Sequence, residues 1–373
     1  MGPPQMMAPV SASAVDSVQR LLERACEMGA SDLHIEPDAT GVTVRARRDG
    51  VLVPLDSLPG DLGPRLVGRL KALADLLAYR TDVPQEGRIT ADRSGVGMEI
   101  RVATYPTIFG ERAALRFDAP EAAAMRLETL GLSAAALAGL RAAIERPDGV
   151  VLLTGPSGSG KTTTLYSCLR HVAERLPRRS IVTVEDPVER HVAGVTQTQV
   201  APAAGLDFAR ALRSLLRQDP EVILVGEIRD RETAGIALEA GLTGHLVAST
   251  IHAGTAPQVF ARLLDMGVEP FVATTAIRGV LAQRLLRRRC EACSPSPACR
   301  KCDGTGYCGR VLLAEWLEVT PALRTAILAR ADGDALAVAA RAGGRPSLRD
   351  EADALVAGGV TTKDEVDRVL GPA

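Results

Sequence analysis

The chain has 373 residues, more than one hydrophobic core usually organises, so two domains with a smaller appendage are expected. Its 44 Lys and Arg stand against 45 Asp and Glu for a formal net charge of -1, and aromatic residues make up only 3%. This excludes an overall attraction to nucleic acid or anionic lipid, and with it a platform for stacking bases, so no direct nucleic-acid partner is expected.

Residues 1–10 lack the basic-then-apolar order of a signal peptide. From Ser11 to Met28, the apolar Val15, Val18, Leu21, Leu22 and Ala25 recur at helical spacing, and Gly29 supplies a stop. Short alternating runs follow at Val42–Arg45 and Met98–Val102, with turns expected at Asp49-Gly50 and Glu86-Gly87. Residues 11–119 therefore read as a small α+β domain. The Ala-rich stretch after Pro120 reads as a linker or connecting helix over 120–148, with a hinge near Asp118 to Pro120.

From residue 149 the pattern changes to short, continuously apolar runs: Val150–Leu153, Ile181–Val184, Val222–Val225 and Leu246–Ser249. Amphipathic segments separate them, as expected of a parallel sheet covered by helices on both faces, here an α/β core over 149–289. A cysteine-bearing segment, 290–310, interrupts this pattern. Residues 311–373 are Ala-rich with helical periodicity and predict a helical tail. No run reaches the ~20 apolar residues that cross a bilayer, so a membrane role would run through a protein partner.

Gly155, Pro156, Ser157, Gly158, Ser159, Gly160, Lys161 and Thr162 match G-x-x-x-x-G-K-[ST], and they lie between an apolar strand and a helical segment that starts at Thr163. Glycines let backbone N–H groups turn inward around a β-phosphate, a helix N-terminus adds positive potential, and Lys161 neutralises the β and γ oxygens. Thr162 is expected to hold Mg²⁺. Two carboxylates stand at strand tips, Glu185 after Ile181–Val184 and Glu227 after Val222–Val225. Glu185 can polarise water while Glu227 fixes Mg²⁺, or the two can share these tasks. His245 and His252 bracket the run Leu246–Ile251, and one of them is expected to reach the γ-phosphate.

Cys290-x-x-Cys293 and Cys299-x-x-Cys302 offer four soft ligands suited to a closed, structural Zn²⁺ site in a reducing compartment, by default the cytoplasm. Cys308 has no C-x-x-C partner, and Cys26 and Cys168 read as packing residues.

The P-loop, Thr183–Glu189, Leu215–Pro220 through Gly226–Asp230, and Thr243–His252 occur in this order. They resemble the Walker A, Asp box, Walker B and His box of the secretion ATPase superfamily, which drives type II secretion and type IV pilus assembly. Ala30–Pro37, Pro84–Ile89, Arg101–Pro106 and Gly110–Arg112 look like that family's PAS-like N-terminal domain. The resemblance implies a RecA-like ATPase core, a homohexamer, and arginines at Arg101 and Arg116 that the N-terminal domain presents to ATP. A planar guanidinium that stays charged suits that task. The resemblance also implies work on an inner-membrane platform protein. The tetracysteine segment followed by Asp303–Tyr307 and Gly309-Arg310 resembles extension and export motors rather than retraction motors, although the loop between the cysteine pairs is shorter than is usual there. The sequence begins almost directly at the PAS-like region, whereas the family's usual membrane-anchored recruiting protein docks on an extension before it; such a recruiting protein is a further partner that the resemblance implies. A DNA-uptake or DNA-translocating motor and a nucleotide-binding scaffold with weak turnover are the rival readings.

Overall fold

The computed structural model describes residues 13–117, 126–175, 177–292, 299–342 and 344–372. The chain divides into two units, Met1–Pro120 and Glu121–Ala373.

In the first unit, α1 (Ala14–Glu27) begins where the Ser13 side chain accepts the N–H of Asp16, and it ends before Gly29, whose φ is 66°. There follow β1 (Asp32–Pro37), β2 (Val42–Arg48), β3 (Val51–Leu58), α2 (Gly63–Leu73), β4 (Gln85–Ile89), β5 (Ile100–Thr107) and β6 (Gly110–Phe117). The strands form one antiparallel sheet in the order β3-β2-β1-β6-β5-β4. Alternation sends Leu33, Ile35, Val44, Val102 and Leu115 into a core with Leu22 of α1 and Leu66 and Leu70 of α2. Lys71 is fully buried; it pairs with Glu111, and its Nζ donates to the carbonyl of Arg80 at 2.7 Å. Asp49 and Gly50, both at positive φ, make the two-residue turn between β2 and β3. The turn expected at Glu86-Gly87 is instead part of β4. A Cβ on Gly87 would come within 2.7 Å of the Ala74 carbonyl oxygen, so this glycine serves a close approach and not a turn.

The second unit contains α3 (Ala134–Ile144), β7 (Gly149–Thr154), α4 (Lys161–Glu174), β8 (Ile181–Glu185), β9 (Thr196–Gln199), α5 (Phe208–Leu215), β10 (Val222–Ile228), α6 (Arg231–Leu242) and β11 (Leu246–Ile251). It continues with α7 (Ala256–Asp265), α8 (Pro270–Ala276), β12 (Ile277–Arg289), β13 (Tyr307–Leu317), α9 (Pro321–Leu328), α10 (Gly333–Arg341), α11 (Leu348–Ala357) and α12 (Lys363–Leu370). The sheet order is β13-β12-β7-β11-β10-β8-β9, parallel except for the β12–β13 pair. All four apolar runs marked in the sequence are inner strands of this sheet. Helices cover both faces: Leu140 of α3 and Leu165 and Leu169 of α4 share a core with Val151 and Leu153, while α5 to α8 cover the other face in a core with Val150, Leu152 and Ile223 that α9 to α12 extend.

Two segment boundaries differ from the sequence expectation. Helix α3, within the linker or connecting helix expected over 120–148, is part of the second unit's core and packs on the sheet, where the indole of Trp316 lies so close to Gly139 that any Cβ there would collide at 2.2 Å. The expected hinge at Asp118 to Pro120 lies outside the described residues. The helical tail expected from 311 opens with β13, because residues 307–317 pair with β12 and extend the sheet beyond the cysteine segment.

The tail is tied back by Glu365 of α12, which is fully buried and accepts from Arg287 and Arg368; Arg287 also lies 4.0 Å over the ring of Tyr307. Burial alone would raise the Glu365 pKa, but the hydrogen bonds from Arg368 and Arg287 outweigh it and hold the group at about 2, below its ordinary 4.5. A depressed folded-state pKa adds stability above pH 4.5 that is lost as pH falls towards 2. Glu365→Gln should destabilise the second unit by about 3 kcal/mol at pH 7, and urea unfolding should find the gap from wild type closing on acidification through that window.

Candidate nucleotide site

In parallel strands every carboxyl end meets one rim of the sheet, which is where α/β sheets bind ligands. Here that rim is formed by the ends of β7, β8, β10 and β11. Strand β7 runs into the loop Gly155–Gly160, in which Gly155, Gly158 and Gly160 all have positive φ, and α4 begins at Lys161. A Cβ on Gly155 would come 2.4 Å from the carbonyl oxygen of Gln283 on β12 and 2.6 Å from the Ser159 hydroxyl, so only glycine lets the loop pass. At Gly158 and Gly160 a Cβ would meet nothing within 4 Å, which leaves the concave side of the loop open. The Ser159 hydroxyl is buried without a hydrogen-bond partner.

Ser157, Gly158, Gly160, Lys161, Thr162 and Thr163 line a cavity of about 460 Å³, which Glu185, Glu227 and His252 also border. Gly155, Pro156 and Ser159 belong to the same loop without lining that cavity. The Lys161 ammonium donates to the carbonyls of Gly155 at 2.7 Å and Pro156 at 2.9 Å. Burial lowers the Lys161 pKa from its ordinary value, and the Glu227 carboxylate opposes that shift. A strand followed by a glycine loop, a helix N-terminus, and a hydroxyl and carboxylates bordering one cavity is the donor set that MgATP requires, and the residues present fit it.

The two acids are held differently. Glu227 accepts from Arg229 Nε at 2.7 Å and stands 2.9 Å from His252 Nε2. Glu185, only 4% exposed, accepts from three neutral donors: the Tyr166 and Thr183 hydroxyls and, at 3.1 Å, the Gln197 amide. Thr154 locks the rim by donating to the Ala253 carbonyl and accepting its N–H, at 3.0 and 2.9 Å.

The two histidines are separated by the polarity of β11. His252 follows its carboxyl end and reaches Glu227. His245 precedes its amino end, about 20 Å away at the rise of a strand, where its Nδ1 lies 3.1 Å from the Ala240 carbonyl near the end of α6. His245 is therefore outside the cavity, which His252 borders. Tyr166, Arg229 and Arg310 also line the cavity, and Gln197 stands behind it on Glu185, although none of the four is among the site residues that the sequence predicts. Tyr166 was findable, since it stands four residues after Thr162 and so on the same helix face.

Arg101 and Arg116 are on the first unit, side by side on the sheet face opposite its helices. Arg88, Arg101, Arg116, Asp32 and Arg47 are successive register partners across five strands. Arg116 Nε lies 3.4 Å and Arg47 Nε 3.6 Å from Asp32.

The cysteine segment joins β12 to β13. The sulfurs of Cys290, Cys299 and Cys302 lie within 4.8 Å of one another, and the Gly306 N–H points at Cys302 Sγ from 3.4 Å. Tetrahedral thiolates around Zn²⁺ stand roughly 3.8 Å apart, so these three fit a zinc site; Cys293 lies outside the described residues. Among the described residues Cys308 is not part of that group. Cys168 is buried, which pushes its thiol up to about 12, as suits a packing residue.

The sequence matches the family model described as type II/IV secretion system protein over residues 10–368. The chain belongs to this family. It is 43% identical over 370 residues to the type II secretion system protein HxcR of Pseudomonas aeruginosa, covering 97% of this chain and 78% of that protein. It is 41% identical to the type II secretion system ATPase E of Vibrio cholerae, covering 96% and 75%. With the type IV pilus assembly ATPase PilB of Thermus thermophilus it shares 40%, over 94% of this chain and 42% of that protein. Among solved structures, the ATPase DotB of Legionella pneumophila superposes with a TM-score of 0.73 at 25% identity over 98% of both chains. The pilus retraction motor PilT with bound ADP gives 0.64 at 27%, over 94% of this chain and 96% of that one. The chain is thus a P-loop ATPase of the secretion type, with a RecA-like core and a smaller α+β N-terminal domain. No helix among the described residues is long and apolar enough to cross a membrane.

The geometry separates the histidines experimentally. His252→Ala should lower ATP turnover by about 10-fold or more, whereas His245→Ala should stay within about twofold of wild type, both read as phosphate release at saturating ATP.

Proposed function

We propose that this ATPase is a homohexameric motor whose ATP hydrolysis powers assembly of pilin-like filaments in type II secretion or type IV pilus biogenesis. The observation that carries the reading is one cavity bordered by the P-loop lysine, the Thr162 hydroxyl and two strand-end carboxylates in different surroundings. Lys161 neutralises the β and γ oxygens of MgATP, and Thr162 and Glu227 hold the Mg²⁺ that arrives with it. Glu185 receives the proton of a water whose oxygen forms the new bond to the γ-phosphorus, as the bond to the leaving ADP oxygen breaks. His252, beside Glu227, responds to the γ-phosphate.

Arg101 and Arg116 bring positive charge to the triphosphate and so couple hydrolysis to movement of the N-terminal domain. Row partners of like charge repel across a sheet, which suits a surface that receives a polyanion. The motor works in the cytoplasm, held at the inner membrane by an inner-membrane platform protein and a membrane-anchored recruiting protein. Cys290, Cys299 and Cys302, with Cys293, hold a structural Zn²⁺ that closes the β12–β13 connection; this cluster favours extension or export over retraction.

Phosphate release should rise per subunit as the protein concentration drives hexamers to form, with mass followed by light scattering. It should collapse in Lys161→Ala and in Arg101→Ala. Activity untouched by Arg101→Ala would remove the coupling, and stimulation by DNA would turn the reading towards DNA translocation. Elemental analysis should find about one zinc per chain, lost in Cys302→Ser together with several degrees of thermal stability.

A further inference from the structure

The hydrogen bonds around Glu185 are specific enough to say which of its atoms meets water. A carboxylate offers about four acceptor positions, two on each oxygen. Oε1 accepts from both the Thr183 hydroxyl and the Gln197 amide, and is full; Oε2 accepts from the Tyr166 hydroxyl alone. We propose that Tyr166, Thr183 and Gln197 are positioning residues for hydrolysis, which leave one acceptor position on Glu185, at Oε2, for the proton of the attacking water. The inference rests on the reading that Glu185, and not Glu227, handles that water.

Each positioning group is itself fixed. Tyr166 rises from α4, the helix whose first residues include Lys161 and Thr162, so one of the donors that hold Glu185 shares a rigid element with the phosphate-binding groups. Its oxygen also accepts the N–H groups of Glu189 at 3.2 Å and Arg190 at 3.4 Å. The Gln197 amide cannot turn over without loss, because its Oε1 accepts from Val192 N–H at 2.7 Å while its Nε2 also donates to the Arg190 carbonyl at 2.8 Å. Burial, followed by the hydrogen bond to Glu185, pushes the Tyr166 phenol above its ordinary pKa, so it remains a donor. All three donors are neutral: they orient the carboxylate without cancelling its charge, in contrast to the Arg229 guanidinium on Glu227. Glu185 and Tyr166 both border the cavity, and this places the remaining acceptor position at its wall.

The test uses full-length protein in its assembled form. Tyr166→Phe removes the hydroxyl and keeps the ring; kcat should fall about 10-fold, the equivalent of one hydrogen bond. The KM for ATP and the unfolding temperature should stay near wild type. Thr183→Val should act in the same direction. In a Glu185→Gln background, Tyr166→Phe should change the residual turnover by less than about twofold, because the group it positions is gone. A kcat unaffected by Tyr166→Phe overturns the proposal. So does a loss that repeats in full on top of Glu185→Gln, or one matched by a raised KM and lost thermal stability, which marks a packing role. A Glu185→Gln protein that turns over at the wild-type rate overturns instead the assignment of water to Glu185.

Discussion

The nucleotide site depends on one constraint, the parallel register of β8, β10, β11 and β7. Val222 pairs with Ile181 and with Leu246, and Leu246 with Gly149, so the four strands start level; the β10–β11 register slips by one residue only between Val225 and Ile228, the stretch that holds Glu227. Their carboxyl ends then deliver Glu185, Glu227, His252 and the P-loop to one rim. A shift of one residue in any of them would turn its terminal side chain to the other face of the sheet. Strand β12 completes the frame from the side, with its Gln283 carbonyl against Gly155 and Arg284 Nη2 donating to the Gly254 carbonyl at 2.5 Å. The loop that cradles phosphate and the loop that carries His252 are therefore braced by the same strand.

This constraint also explains what the sequence could and could not reveal. Buried parallel strands must be apolar on both faces, so the four inner strands stood out as uninterrupted Val, Ile and Leu runs. The edge strand β9 is Thr196–Gln199, with no apolar residue at all, and it gave no signal although it carries Gln197. Strand β12 mixes Gln283, Arg284 and Arg287 into its apolar positions because those side chains bind the Thr164 hydroxyl of α4, the carbonyl of Gly254 and Glu365. Such a strand lacks the apolar continuity by which the others were found. Strand polarity was available for the histidines: in a parallel sheet only the residue at the carboxyl end of β11 can share the rim with Glu227. The hydrogen-bond ring around Glu185 was not legible, because Tyr166, Thr183 and Gln197 come from three elements that only the fold brings together.

The two acids show how chemistry follows from neighbours rather than from residue type. A carboxylate beside a guanidinium has much of its charge answered within the protein. A carboxylate surrounded by neutral donors gains no counter-charge from them and loses its freedom to rotate. Glu227 and Glu185 end adjacent strands, and the distinction between them arises from Arg229 on one side and from Tyr166, Thr183 and Gln197 on the other.

The arginine row of the first unit follows a different logic. Antiparallel alternation gives one face of that sheet to the core with α1 and α2, and the other face is free to carry charge. Placing Arg88, Arg101 and Arg116 directly opposite one another works against sheet stability, since like charges across a ladder repel. Asp32 relieves part of the strain at Arg116 and Arg47, and Glu99 at Arg88, 3.1 Å away. A fold that accepts this cost on the side it does not need for its core, with planar side chains that cannot discharge, keeps a surface whose repulsion is lowered when an anion arrives.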